Sequence, residues 1–199
     1  MARLRWRHDE AGQGIVEFAL VIPVFMVILL GMLEFGFVFD HALTVQYAAR
    51  EGARVGSALV NGGGSLGCNS GESPNASSVD PLIIQAVARV LESPGSRVNM
   101  AEIPEIRLYK ADASGSETTY SAVNVYTRSG ATYVLSGSPG WSACSRSNAG
   151  SPPDSIGVSL VYTYRFQTAL GSVLSFFGGA GLSSITFSDR AVMAMNPTN

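Results

Sequence analysis

From Gly14 to Phe39 the chain carries only two charged residues, Glu17 and Glu34. As a helix these 26 positions extend about 39 Å, enough to cross a hydrocarbon core of about 30 Å with some tilt. Apolar side chains surround the axis on every side, so the segment is not an amphipathic surface helix. The run is also too long, and its flanks too polar, for a buried helix of a water-soluble core. It exceeds the ~7–15 apolar residues of a cleavable secretory signal, and no small-residue cleavage site closes it. A single membrane span over about 14–39 is therefore expected.

Arg3, Arg5 and Arg7 precede the span, whereas Asp40 and His41 follow it and the next arginines are Arg50 and Arg54. Basic residues beside the first end of a span hold that end in the cytoplasm. The rest of the chain is then expected outside. Glu17 is the costly residue, because a carboxylate at mid-depth loses about 2.5–3.5 kcal/mol on insertion scales. It stands near the helix start, where the positive end of the helix and snorkelling reduce that loss. It is read either as an interfacial carboxylate or as one that awaits a cationic partner in a helix assembly.

Gly12 stands five residues before Glu17, and Phe18 follows it. Gly-x-x-x-x-Glu-Phe resembles the processing site of type IV pilin precursors. The resemblance implies that a membrane-embedded prepilin peptidase cuts between Gly12 and Gln13, removes a basic leader over 1–12 and leaves the apolar helix attached. In that family the glutamate is thought to meet the new amino terminus of a neighbouring subunit as helices bundle into a filament. The run Gly12–Pro23, then Glu34-Phe35-Gly36, then Ala48-Ala49-Arg50-Glu51-Gly52-Ala53-Arg54 resembles the TadE-like family. Those proteins are minor pilins, or pseudopilins, of tight-adherence systems that build Flp-type pili. The strands at Val158–Phe166 and Ile185–Met193 resemble the end of such proteins more weakly, and 61–155 shows no such likeness. The resemblance implies four partners beyond the lipid bilayer: the prepilin peptidase, the major Flp-type pilin, other minor pilins and the inner-membrane assembly platform. It implies a bacterial cytoplasmic (inner) membrane location, single-pass, with extracellular exposure in the pilus.

A single helix is expected from about Ile15 to Leu59, stopped by Asn61-Gly62-Gly63-Gly64, with a break at Asp40-His41 as the alternative. Ala48, Gly52 and Gly56 lie on one stripe, and small stripes permit close helix approach. They either seat the helix on its own sheet or pack it into a filament. Glu51 and Arg54, three apart, pair on one face for a few tenths of a kcal/mol. The domain plan is a leader over 1–12, a long helix over 13–60, and an extracytoplasmic domain over 61–199.

The two cysteines, Cys68 and Cys144, lie in Gly/Ser-rich stretches. An even count on the oxidising side of a membrane favours a disulfide over two free thiols. Asp80-Pro81 reads as the N-cap and first residue of a helix whose apolar positions are Leu82, Ile83, Ala86, Val87, Val90 and Leu91, ended by Ser93-Pro94-Gly95. Glu105–Lys110 alternates as a strand, and Asp112–Glu117 forms a turn. Ala122–Thr127 and Thr132–Leu135 form a hairpin through Ser129-Gly130. Gly157–Phe166 is the strongest strand, Leu170–Phe177 a short apolar helix ended by Gly178-Gly179, and Ser184–Met195 the last strand. Strands grouped after helices predict an α+β fold: a long pilin-like amino-terminal helix on a small, mostly antiparallel sheet with one or two further helices.

Enzymatic chemistry has no foothold. The histidines are His8, in the leader, and His41, beside the span, so no nucleophile–base set can form in the outer domain. Asp112, Glu117, Asp154 and Asp189 are scattered, and Gly62-Gly63-Gly64 lacks the Lys-Ser/Thr of a phosphate loop. Asn75-Ala76-Ser77 fits a glycosylation acceptor only formally. No metal or cofactor is expected. A formal net charge of -2 with no basic cluster excludes nucleic acid as a partner. The alternative function is an extracytoplasmic adhesion or binding domain on an uncleaved signal anchor.

Overall fold

The computed structural model describes residues 11–59, 68, 76–117, 122–176 and 184–195. The basic leader before Ala11, the Gly62–Gly64 stop, Asn75 and the Gly178-Gly179 stop lie outside the described residues. The fold is α+β. Three helices, α1 (Ala11–Ala58), α2 (Ala76–Leu91) and α3 (Leu170–Phe176), accompany five strands, β1 (Glu105–Lys110), β2 (Val123–Ser129), β3 (Thr132–Leu135), β4 (Ser155–Arg165) and β5 (Ser184–Ala194).

α1 is unbroken through both Pro23 and Asp40-His41. Proline forfeits one ladder bond at Pro23 but its fixed φ suits a helix, and such prolines are tolerated in membrane helices. The polar pair Asp40-His41 does not stop the helix either. Thr44 Oγ1 donates to the Asp40 carbonyl at 3.0 Å, and His41 is buried.

α2 corrects the expected start. It begins at Ala76, so Asp80-Pro81 lies inside the helix and not at its cap. Capping would demand that Asp80 turn back on its own backbone. Its carboxylate is instead buried among residues from β2 and the loop after β3.

The antiparallel sheet runs in the order β3-β2-β1-β4-β5. β1 is central, with Glu105–Tyr109 paired to Thr127–Val123 on one side and Glu105–Lys110 paired to Val161–Ile156 on the other. The β2–β3 hairpin turns at Gly130-Ala131, where a positive φ of 63° is confined to the glycine. That is the pattern of a type II′ turn, whose twist matches the strands. The turn after β1 closes on Asp112, whose Oδ1 accepts from the amides of Ser114 and Ser116 at 2.8 and 2.9 Å.

The chain divides into two compact units, Met1–Val38 with Arg165–Ser183, and Phe39–Tyr164 with Ser184–Asn199. In the second, alternate residues of β4 (Val158, Leu160, Tyr162, Tyr164) are fully buried with Ile106 and Leu108 of β1 and Ile83, Ala86 and Val87 of α2. Each large apolar side chain buried this way contributes roughly 1.5–3 kcal/mol. The later half of α1 joins this core through Val45, Ala48, Ala49 and Ala53. Glycine allows the close approach where the helix meets α2 and the sheet. A Cβ on Gly52 would stand 2.7 Å from Val87 Cγ2 and 3.3 Å from Val158 Cγ1, and one on Gly56 2.7 Å from Ile156 Cδ1.

Candidate functional site

The chemistry expected of this chain lies at the start of α1. Gly12, Gln13, Glu17 and Phe18 are all solvent-exposed on the first turns. Gln13 Nε2 donates to Glu17 Oε1 at 3.0 Å, one turn apart. A Cβ on Gly12 or Gly14 would meet nothing within 4 Å. Among the described residues nothing crowds a Cβ at position 12.

From Phe18 to Phe39 the helix remains apolar, and most of its side chains are bare. Leu20, Val21, Val24, Phe25, Met32, Leu33, Phe35 and Phe39 all stay exposed, and the most apolar 18-residue window has no buried residue. Among the described residues this is one helix long and apolar enough to cross a membrane. Gly31 and Gly36 also face open space. Each glycine destabilises a helix interior by about 1 kcal/mol relative to alanine, and among the described residues none meets a Cβ added at either position.

Three residues, Glu34, His41 and Asp80, organise their surroundings through partners far along the chain. Glu34, the second charge of the span, is 2% exposed. Its Oε1 accepts from the Gln167 amide at 2.8 Å; its Oε2 accepts from the Thr168 amide at 2.9 Å and from the Thr168 hydroxyl. Thr168 Oγ1 in turn accepts from the Leu170 amide at 3.2 Å. The residues that lead into α3 are thereby fastened to the apolar part of α1, within one compact unit.

His41 is the second. Its Nδ1 contacts the Tyr162 hydroxyl, and its ring meets Tyr164 edge-on at 5.2 Å. The Tyr162 hydroxyl donates to Glu102 Oε2 at 3.3 Å. A phenol has one hydrogen to give, so only a His41 ring carrying Nδ1–H satisfies both contacts. Burial, reinforced by the Glu102 charge, pushes the Tyr162 phenol above its usual range.

Asp80 is the third, and it is the hub of a buried polar cluster. Its Oδ2 accepts from Asn124 Nδ2 at 2.7 Å and from the Tyr126 hydroxyl at 2.9 Å, and its Oδ1 pairs with Arg146 Nη1 at 2.7 Å. Arg146 lies 4.8 Å from the Trp141 ring centre, and Asn124 bonds both the carbonyl and the amide of Trp141. Burial, with the Asp80 charge beside it, raises the Tyr126 pKa. The cluster seats the loop bearing Cys144, which forms a disulfide with Cys68 across 76 residues. The expected cysteine pairing is present. Arg54 also pairs with Glu51, at 2.6 Å.

The apolar helix with its exposed Gly12/Glu17 start now has a counterpart among known families. Residues 12–54 match the family model for TadE-like protein. The amino-terminal region is TadE-like. The match covers the exposed glutamate turn, the whole apolar run and the stripe of Ala48 and Gly52. It ends two residues before Gly56. No curated protein and no solved structure matches the chain. The TadE-like region fits a protein associated with a tight-adherence pilus, held by a single-pass membrane anchor.

Proposed function

We propose that this chain is a minor pilin, or pseudopilin, of a tight-adherence, Flp-type type IV pilus. Prepilin peptidase cleaves it after Gly12, and the trimmed apolar helix then packs with other pilin helices. The observation that carries this reading is a TadE-like helix whose first turns and apolar surface are largely exposed among the described residues. A permanent anchor needs only lipid on that surface. Unpacked glycines at Gly31 and Gly36 weaken a helix that has no neighbour, but they admit close approach by a second helix.

The precursor spans the cytoplasmic membrane with its basic leader inside and its disulfide-bearing domain outside. Assembly extracts α1 from lipid and exchanges lipid contact for contact with the major pilin and other minor pilins, on the inner-membrane assembly platform. Glu17 is exposed and, among the described residues, accepts from the Gln13 side chain one turn away, so its carboxylate can turn to the freed amino terminus of a neighbour. The role is structural, with no reaction assigned to the outer domain.

Mass spectrometry of the mature amino terminus, in cells with active prepilin peptidase, tests the first step. The expected product begins at Gln13. A chain retaining Met1 would instead support a membrane-anchored adhesion domain. Gly12→Leu should block cleavage while leaving the fold intact, because a side chain there meets nothing. Glu17→Ala should be processed yet fail to enter pili; normal incorporation of that variant would remove the charge-partner role of Glu17.

A further inference from the structure

We infer that the segment around α3 is a second membrane-inserted element, a re-entrant helix that enters the outer leaflet beside α1 and contacts lipid. This rests on the reading of α1 as a membrane span. From Phe166 to Ser183 no residue carries charge, and the apolar residues include Phe166, Leu170, Val173, Leu174, Phe176 and Phe177. A stretch of this kind in an outer domain would be expected to fold into that domain's core. Its described part, 166–176, is grouped instead with the apolar start of α1.

Depth follows from the contacts. Glu34 lies 19 residues after Ile15, about 29 Å along the helix and so at the far edge of a hydrocarbon layer of about 30 Å. Its carboxylate holds the start of α3 at that level. Val173 then lines an apolar groove of about 440 Å³ with Pro23, Val24, Met26, Val27, Ile28 and Leu30. Val27 is about 10 Å back along α1 from Glu34, toward the middle of the bilayer. The chain therefore enters at Glu34 and runs inward.

Several polar groups at and just before α3 are satisfied within the chain, as lipid requires, where each orphan costs several kcal/mol. The Gln167 and Thr168 amides, at the entry to the helix, go to Glu34, and the Leu170 amide goes to Thr168 Oγ1. The exposed Ser175 hydroxyl donates to the Ser172 carbonyl at 2.8 Å, and Gln167 Nε2 to the Arg165 carbonyl at 3.2 Å. In water none of these amides would need a buried carboxylate. In a membrane, Glu34 becomes an ionisable residue with a named partner, the backbone of a second inserted segment.

The test places a nitroxide label on single cysteines of the full chain in phosphatidylethanolamine/phosphatidylglycerol vesicles. The native cysteines are joined and do not react. Labels go on Ser175→Cys and Ser172→Cys in α3, on Val24→Cys in α1, and on Ser136→Cys in the outer loop, all exposed positions. Collision with oxygen, which concentrates in lipid, is compared with collision with a water-soluble nickel chelate. Positions 175 and 172 are expected to favour oxygen as position 24 does, with position 136 favouring nickel. If both α3 labels favour nickel while position 24 favours oxygen, the insertion of α3 is overturned and the α1 span stands. If position 24 itself favours nickel, the span reading fails first and the insertion falls with it. α3 labels shielded from both reagents would show protein in place of lipid on this face and overturn the inference equally.

Discussion

Arg146→Ala is expected to be among the most damaging single changes in the outer domain. The Arg146 side chain is fully buried, pairs with Asp80 Oδ1 at 2.7 Å, donates from Nη2 to the Trp141 carbonyl at 3.2 Å and lies over the Trp141 ring. Truncation leaves the Asp80 carboxylate in the interior with two neutral donors, Asn124 and Tyr126, and no counter-charge. Breaking one side of a buried pair typically costs about 3–5 kcal/mol, against a total domain stability of about 5–15 kcal/mol. Removing both charges together is different. Asp80→Asn with Arg146→Met keeps volume and leaves no lone charge, so its loss should be smaller than that of Arg146→Ala. The measurement is equilibrium urea unfolding of the full chain in detergent micelles, followed by Trp141 fluorescence in a Trp6→Phe background. A loss under about 1 kcal/mol for Arg146→Ala would mean that water reaches Asp80 and the pair behaves as a surface one. A double variant worse than the single would refute the lone-charge argument altogether.

Gly52→Ala should destabilise by up to about 2 kcal/mol in the same assay, since about 1 kcal/mol of helix propensity is gained but overpacking against Val87 costs about 1–3 kcal/mol. A stabilised variant would show that α1 can lift from α2 and the sheet at no loss. Replacing both Cys68 and Cys144 by serine should cost about 4.5 kcal/mol in the chain-entropy model for a closed loop of 76 residues. Unchanged unfolding of that double variant would mean that the loops are held by the Asp80–Arg146 cluster alone. Burial pushes the Tyr133 phenol up to about 12 from its ordinary 10.0. The folded chain thus favours the neutral phenol, and this stabilisation is intact below pH 10 and lost as pH rises through 12. Tyr133→Phe should flatten that part of the alkaline stability profile, and an unaltered profile would assign the loss to other groups.

Local patterns in the chain were enough for the type and order of its regular elements, though not for the start of α2. The alternation Glu105–Lys110 and the hydroxyl-and-glycine turn at Ser129-Gly130 are short-range signals, and the fold obeys both. The disulfide was legible from cysteine count and compartment, because redox chemistry needs no knowledge of the path between them. Polar residues with distant partners were not legible. Asp80 sits before a proline, the local signature of a cap, yet its partners Asn124 and Arg146 are 44 and 66 residues away. Glu34 reads as a stray charge in an apolar run until residues 133 and 134 positions later supply its donors. Nothing periodic in a sequence marks such a pairing, since its energy comes from the avoided desolvation of a lone group and not from a repeated face.

The glycines of α1 carry the functional argument, because one residue type serves two unrelated needs along one helix. At Gly52 and Gly56 a methyl group would strike Val87 or Ile156, so the chain's own packing demands the small residue. At Gly12, Gly14, Gly31 and Gly36 a methyl group would touch nothing, so the same packing is indifferent. A helix that keeps four such residues loses about 1 kcal/mol of propensity at each interior one for no internal return. Sequence spacing alone cannot separate the two sets: Ala48, Gly52 and Gly56 form the regular stripe, and that stripe is the one used up inside the molecule. The irregular set is the one still free to meet a peptidase or another helix. Alanine substitution should therefore divide the helix in two, harming folding at Gly52 and Gly56 and harming only processing or assembly at the earlier glycines.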